Sequence, residues 1–329
     1  MTNAKVSVII PVFKVKDFIE RCACSLFEQT LKEIEYIFVD DASPDESIAI
    51  LKSCIDRFPE RKNQVLLLTH EYNQGLPAAR NTGMAVATGE YVFHCDSDDF
   101  VEHEMLETMY KAGQEADADI VYCDFYLSFE KSERYMPNPR YDTADDMLKH
   151  GLLGGNMKYN VWNKLVKRDL YVKNGIVFPA GHAMGEDMTM IKLTACAGSV
   201  AYVPNAFYHY VKLNANAYSA SISEKNKADI RFNLVQTVSF LNDRFGDCLE
   251  KEVAFFKLNT KLPFLITDDE AQYEVWKQWW PEANEYIWQN NQQALRTRVL
   301  QLFAHKGQFW AVKLYYKLVY RLIYGVIYN

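Results

Sequence analysis

Residues 89–99 read GEYVFHCDSDD, and the fold of the chain turns on this stretch. Glu90 to Cys95 is apolar and aromatic with no Gly or Pro inside it, which predicts a short buried strand. Asp96, Ser97, Asp98 and Asp99 follow at once. Three carboxylates in four residues repel one another, and a fold tolerates them at a strand end when something positive sits there. Divalent Mg²⁺ and Mn²⁺ take oxygen ligands, commonly one or two carboxylates with substrate phosphates completing the set. The carboxyl end of a strand is also where open α/β sheets bind ligands. The plainer alternative is a solvated acidic turn capping a helix after Phe100, and this stretch alone leaves both open.

The segments before it narrow the choice. Lys5–Val12 is a β-branched run ended by Pro11, the pattern of a central parallel strand buried on both faces. Asp17–Thr30 has the apolar spacing of an amphipathic helix through Phe18, Ile19, Leu26 and Phe27. Ile34–Val39 predicts a second strand, ending in Asp40-Asp41. Ser43 and Glu46 suggest a capping box opening the next helix, with Pro44 in its first turn. Gln64–Leu68 predicts a third strand, and Gly75–Val86 a small-residue helix able to approach a neighbour closely. After the acidic turn come a helix over Glu102–Ala116 and a fifth strand over Ile120–Phe125. Such alternation predicts a parallel sheet with helices on both faces. Asp40/Asp41 and Asp96/Asp98 then share the carboxyl edge, which favours a ligand site over a solvated turn.

Beyond Phe125 the rhythm breaks. Ser128–Arg140, with Pro137 and Pro139, reads as a loop, and Thr143–Leu153 as a helix. Val161–Leu170 mixes apolar and basic residues. Gly185-Glu186-Asp187 precedes a helical pattern, where carboxylates in the first turn also complement the helix dipole. Ser199–Leu213 is strand-like with a turn at Pro204-Asn205. Helices are expected over Asn226–Arg244, Leu249–Leu265, Ala271–Trp279, Glu285–Phe303 and Gln308–Ile327.

The bulk composition sets limits. The chain has 329 residues, enough to bury a full core, and at 49% hydrophobic and 24% charged it is globular rather than disordered. Its net charge of −7 argues against general nucleic-acid binding. No Asp or Glu follows Glu285, so the last 44 residues carry +6 and the first 285 carry −13. The seven Cys include no CxxC pair and several sit in apolar runs, the habit of reduced residues in a cytosolic protein. The N-terminus enters a strand without a signal-peptide pattern, and no uncharged apolar run is long enough to span a bilayer.

Four segments in order, VSVIIPVF (6–13), EQTLKEIEYIFVDDASPDES (28–47), NQGLPAARNTGMAVATGEYVFHCDSDDF (73–100) and MGEDMTM (184–190), resemble the inverting family 2 glycosyltransferases of the bacterial cell-surface polysaccharide type. The resemblance is dense over residues 5–100, thinner to about residue 215, and does not reach the C-terminal helices. It implies an α/β GT-A fold, Rossmann-like, with a mostly parallel sheet flanked by helices and a helical C-terminal extension. The domains would be 1–222 and 223–329, the second ending in a basic, aromatic amphipathic helix.

The resemblance also implies roles. Pro11, Val12 and Phe13 would line the nucleoside pocket, and Asp40, with Asp41 beside it, would accept from the base edge. Arg80 would approach the donor diphosphate, to which a guanidinium is suited, unless it is an ordinary helix-surface Arg. Asp96 and Ser97 would touch the donor, and Asp96 and Asp98 would hold Mn²⁺ or Mg²⁺, with Asp99 as a substitute for Asp98. Asp187 would be the base for the acceptor hydroxyl, with Glu186 as runner-up, because inversion needs one base and no covalent intermediate. Trp162 and Lys164 would lie on the acceptor side, though core packing suits Trp162 nearly as well. His209 is either a third metal ligand or packed core.

The expected activity is therefore metal-dependent transfer of a hexosyl or N-acetylhexosaminyl group from a nucleoside diphosphate sugar, a UDP-sugar foremost. The acceptor would be a glycan or lipid-linked glycan in cell-surface polysaccharide synthesis. The alternative is a degenerate glycosyltransferase serving as a binding or scaffold subunit, against which stands the presence of every carboxylate the chemistry needs. A haloacid dehalogenase reading fails because Phe100 follows DSDD where that motif needs Thr or Val, and no GxGxxG or GxxxxGK[ST] is present. In the final helix Lys313, Lys317 and Arg321 fall at i, i+4 and i+8 among Trp, Tyr, Leu, Val and Ile, a pattern suited to an anionic membrane interface. Packing on its own body or in a homodimer is the alternative. The expected location is the cytoplasm, peripheral at the inner face of the cell membrane.

Overall fold

The computed structural model describes residues 4–213 and 223–319. By internal contacts the chain divides into two compact units, residues 1–144 with 159–237, and residues 145–158 with 238–329. The division therefore falls inside the helix Glu224–Phe245 rather than at 222/223, and residues 145–158 join the C-terminal unit.

The first unit holds one sheet. Its strands, in chain order, are β1 (Val6–Val12), β2 (Ile34–Asp40), β3 (Val65–Thr69), β4 (Tyr91–His94), β5 (Phe100–Val101), β6 (Ile120–Ser128), β7 (Glu133–Met136), β8 (Lys164–Lys167) and β9 (Val200–Val211). Spatially they run β3-β2-β1-β4-β8-β6-β9-β5, with β7 pairing β6 beyond the stretch used by β8. β1, β2, β3 and β4 are parallel, as their spacing predicts. The sheet is mixed beyond them: β8 is antiparallel to both β4 and β6, and β5 is antiparallel to β9. β8 comes from the stretch of mixed apolar and basic residues. Lys164 and Lys167 break its apolar run, so a buried strand there is hidden from periodicity, yet Lys164, Leu165 and Val166 are all buried. Two other elements differ from expectation. The polar stretch after Ser128 contains β7, and Pro204-Asn205 is an irregularity inside β9, where Cys123 pairs Val203 and Asp124 pairs Ala206.

One face of the sheet packs under α1 (Ile19–Phe27), α2 (Ser47–Arg57) and α4 (Met105–Glu115). The side chains are Val8 and Ile10 of β1, Phe38 of β2, Phe93 of β4 and Val121 of β6, against Leu26, Leu51 and Met109. The expected capping box is absent. The α2 helix begins four residues later than Ser43, and Asp45 instead accepts from the Ser47 N–H at 3.1 Å and the Ser43 hydroxyl at 2.8 Å. Opposite lies α3 (Leu76–Val86), whose small residues permit a close approach: a Cβ added to Gly83 would stand 2.5 Å from Ile9 Cγ2. That closeness sets the depth at which Arg80, one turn earlier, reaches under the sheet edge.

The second unit is helical, with helices Glu250–Lys261, Glu270–Gln278, Leu295–His305 and Phe309–Tyr315 among its described residues. Its centre includes a fully buried Lys261, whose Nζ donates to the carbonyl of Trp279 and to Asn284 Oδ1, both at 2.8 Å. Burial pushes that ammonium down to about 7. The helix expected over Glu285–Phe303 is broken, with a 3₁₀ segment over Pro281–Gln289 preceding the helix from Leu295.

Gly83→Val should force α3 off β1 and destabilise the fold by about 2 kcal/mol, the range for overpacked cores. Urea denaturation reads this as a lowered midpoint with unchanged slope. An unchanged midpoint would mean that the contact with Ile9 relaxes freely.

Candidate active site

The parallel register brings the carboxyl ends of β1, β2 and β4 to one edge. Val12 lies opposite Asp40, the Asp41 N–H donates to Val12 O at 3.0 Å, and the Cys95 N–H donates to Ile9 O at 3.0 Å. Pro11 and Val12 are buried, while Phe13 emerges at 38% exposure just past the strand. Asp40 accepts the Ser43 N–H at 2.8 Å, which closes the turn after β2. Asp41 is committed internally: His70 Nδ1 lies 2.7 Å from Oδ1, the Gln74 N–H donates to Oδ1 at 2.7 Å and the Gly75 N–H to Oδ2 at 2.8 Å. Its carboxylate thus shapes the loop that leads into α3.

The acidic turn divides its charges. Asp99 is fully buried, accepting the Tyr208 hydroxyl at 2.7 Å and the Val211 N–H at 2.7 Å. Burial, then the neighbouring Asp98 and Asp96, push its carboxyl well above the usual range. Asp99 therefore faces inward and is not a substitute ligand for Asp98. The Tyr208 hydroxyl also accepts the Asp96 N–H at 3.2 Å, so one phenol holds both ends of the turn. Ser97 is buried, whereas Asp96 and Asp98 stay partly exposed. Tyr208 lies over a hundred residues away in sequence, and no local signal marks it.

Of the alternatives the sequence leaves open for the surroundings, packing is the one seen. Trp162 is buried, its ring stacked on Tyr208 with centroids 4.5 Å apart and on Tyr210 at 5.2 Å, so it packs beneath the turn. Lys164 is buried too, with Nζ donating to Asn160 O at 2.6 Å and Asn163 Oδ1 at 2.9 Å. Burial pushes it down to about 7, against the opposing pull of Asp187. His209 lies in β9, not in a loop, stacked between Phe100 and Tyr126. Its Nδ1 is 2.7 Å from Glu133 Oε1 and its Nε2 2.9 Å from Glu102 Oε1, so both nitrogens are taken and it is not a ligand beside Asp98.

Arg80 is not an ordinary helix-surface residue. It is 1% exposed, and Nη2 donates to Asp96 Oδ1 at 2.9 Å while Nη1 donates to Asp187 Oδ1 at 3.0 Å and Glu186 Oε1 at 3.2 Å. Burial opposes its charge, but Asp96, Asp187 and Glu186 more than offset this and raise its pKa. Burial and then Asp187 push Glu186 up to about 8 against the pull of Arg80, and burial raises Asp187 against the same pull. The pair therefore serves the guanidinium rather than the helix dipole. Behind Arg80 lies His94, buried, with neither ring nitrogen hydrogen-bonded. Burial and then Arg80 lower its pKa well below the ordinary range, so it is a neutral ring beneath the cation.

These groups suit a hard cation. Asp96, Asp98, Glu186 and Asp187 outnumber the one guanidinium, and all four stay partly exposed. Among the described residues no three His, Cys, Asp or Glu come together as a complete cage. Two carboxylates with open positions is the donor set of cations that also take substrate phosphate oxygens.

Comparison with known proteins follows the same outline. Residues 7–188 match the family described as Glycosyl transferase family 2. Glycosyltransferase GlyG of Streptococcus pneumoniae is 31% identical over 258 residues, 74% of this chain and 80% of that protein. The cholesterol galactosyltransferase of Borreliella burgdorferi is 30% identical over 266 residues, 77% of this chain and 72% of that protein. Among solved structures, residues 1–349 of S. aureus TarS in complex with UDP superpose with a TM-score of 0.69 at 20% identity, covering 95% of this chain and 91% of that one.

Because the folded state raises the Glu186 carboxyl from 4.5 to about 8, it holds that proton more tightly than the unfolded chain does. The contribution is complete at low pH and is lost as pH rises through the folded value, so stability should fall across this window. Urea unfolding of Glu186→Gln should show a flatter dependence between about pH 5 and 8 than the parent. Parallel curves for the two proteins would contradict the assignment.

Proposed function

The chain belongs to glycosyl transferase family 2, and on that premise we propose that this glycosyltransferase moves a hexosyl or N-acetylhexosaminyl group with inversion from a nucleoside diphosphate donor, a UDP-sugar foremost. The acceptor is a glycan or lipid-linked glycan of the cell surface. The observation that carries the reading is Arg80, which joins Asp96 to Glu186 and Asp187 and so sets the donor turn and the base pair on one guanidinium.

In this reading Pro11, Val12, Phe13 and Asp40 flank the nucleoside at the strand ends, with Asp41 holding the adjoining loop. Asp96 and Asp98 hold Mn²⁺ or Mg²⁺, which when bound offsets the charge growing on the leaving diphosphate. Ser97 lies in the same turn, between the two carboxylates, and touches the donor beside Asp96. Asp187 takes the proton of the acceptor hydroxyl as its oxygen bonds to the anomeric carbon and the bond to the diphosphate breaks. Burial suits Asp187 to this task, since it lifts a base that a free carboxylate would make too weak. Arg80 restrains that lift and fixes the direction of the carboxylate. A fold neighbour that binds UDP and a relative named for galactosyl transfer to a sterol support a UDP-linked donor and a lipidic acceptor.

Calorimetry with UDP, GDP and CDP, with Mn²⁺ and with chelator, tests the donor site. UDP should bind with Mn²⁺ at least tenfold more tightly than with chelator, and Asp98→Ala should abolish the difference. If no nucleotide binds in any condition, the scaffold reading replaces the enzyme reading.

Peripheral membrane contact belongs to the same proposal. Trp310, Leu314 and Leu318 are 67%, 48% and 49% exposed at i, i+4 and i+8, an apolar stripe on the C-terminal helical segment. Lys313 is paired with Glu270 at 2.7 Å, so the basic stripe is reduced to Lys317, and Arg321 lies outside the described residues. Among the described residues no helix is long and apolar enough to cross a membrane. An anionic surface fits a stripe carrying Trp and Leu on a segment without acidic residues. Full-length protein should sediment with vesicles containing anionic lipid, and the double variant Trp310→Glu/Leu314→Glu should lose at least tenfold in that binding. Equal sedimentation would remove the membrane from the proposal.

A further inference from the structure

The segment that delivers Glu186 and Asp187 is held from behind by residues outside the matched family region, which ends at residue 188. It is tied to α3 at Phe178, whose N–H donates to Asn81 Oδ1 at 2.9 Å and whose carbonyl accepts Asn81 Nδ2 at 2.8 Å. At its other end lies Gly185 at φ +87°, a left-handed conformation from which the 3₁₀ turn Glu186–Met188 starts, with the Met188 N–H donating to Gly185 O at 3.0 Å. Between these points one turn of the helix Glu224–Phe245 grips the chain. Asn233 is 3% exposed, and its amide nitrogen donates to the carbonyls of His182 at 3.0 Å and Met184 at 2.9 Å. A second pin stands beside it: His182 Nδ1 lies 3.1 Å from Asp229 Oδ1, and the His182 ring stacks on Phe232 with centroids 3.7 Å apart. A Cβ on Gly185 would stand 3.7 Å from both Asn233 Cβ and Ile230 Cα, so the same helix backs the left-handed residue.

We propose that Asn233 is a positioning residue for glycosyl transfer: it fixes the backbone of residues 182–185 and through it the direction in which Glu186 and Asp187 meet Arg80. The inference rests on the reading of Asp187 as the base. Its physical basis is a division of labour. Arg80 attracts the two carboxylates but cannot define the path of the chain that carries them, because a guanidinium accepts partners from a range of directions in its plane. Two hydrogen bonds from one amide to carbonyls two residues apart do define that path. A base displaced by about 1 Å costs roughly a hundredfold in rate, which is the scale at stake.

The test uses the full chain, UDP-N-acetylglucosamine and Mn²⁺, with water as acceptor and UDP release as the signal. Asn233→Ala should lower kcat by about tenfold to a hundredfold with KM for the donor changed less than twofold, and UDP binding by calorimetry should match the parent. Asn233→Asp, which has the same shape but no N–H to donate, should be at least as impaired. Hydrogen exchange gives a readout independent of turnover: the amides of Met188 and Thr189 should exchange about tenfold faster in Asn233→Ala, with those of residues 91–95 unchanged. If Asn233→Ala does not fold, His182→Ala removes the partly exposed second pin, and it should raise the same exchange rates and lower kcat. Unaltered kcat and exchange in a folded variant overturns the proposal, as does a loss of kcat matched by an equal loss of UDP binding. A parent protein that binds no UDP and releases none would instead count against the donor reading, while the exchange experiment would still decide the brace.

Discussion

One buried guanidinium holds this site together. Arg80 lies under the sheet edge, nearly inaccessible to water, and reaches three carboxylates at 2.9 to 3.2 Å. A charge so placed is costly unless paired, and breaking such a pair typically costs 3–5 kcal/mol, about as much as a small protein can lose. The arrangement depends on α3 lying close against β1, which its small residues allow. The carboxylates come from two distant parts of the chain: Asp96 from the turn after β4, Glu186 and Asp187 from the 3₁₀ turn. The guanidinium thus makes the position of one depend on the positions of the others.

The carboxylates in turn are sorted by which way they face. Of the acidic run after β4, Asp99 points inward and is satisfied by Tyr208 and Val211, while Asp96 and Asp98 keep access to solvent. Tyr208 makes this sorting possible, since its hydroxyl donates to Asp99 and accepts from the Asp96 N–H. Its ring is fixed by stacking on Trp162. Trp162 therefore supports the acidic turn from below. The result is an excess of negative charge around Arg80, which adds to the burial that raises Glu186 and Asp187. A divalent cation at Asp96 and Asp98 would relieve this excess in the same act that brings a diphosphate into place.

Much of this was legible in the residues. The alternation of apolar runs and helical patterns announces parallel β1 to β4, and it puts Asp40 and Asp96 on one edge before any coordinates are consulted. The motifs around residues 6–13, 28–47, 73–100 and 184–190 announce the family. What periodicity missed was β8, where Lys164 interrupts the apolar signal although it is buried, its Nζ held by Asn160 and Asn163. It also placed a capping box at Ser43, where Asp45 offers its carboxylate to Ser47 instead. In both cases a polar side chain finds a partner that a hydrophobic pattern does not encode.

The sequence by itself determined which chemical groups are available and which end of the sheet they occupy, because side-chain type and strand direction are local properties. Only the tertiary structure decided what each group does. Arg80 is separated from Glu186 by 106 residues, Asp99 from Tyr208 by 109 and Asn233 from Met184 by 49. Burial, and with it the protonation of Glu186 and Lys164, is a property of everything packed around a group. A carboxylate that holds a loop, one that anchors a turn and one paired with a buried guanidinium are the same letters in the chain. They part company only when folding assigns each its neighbours and its share of water.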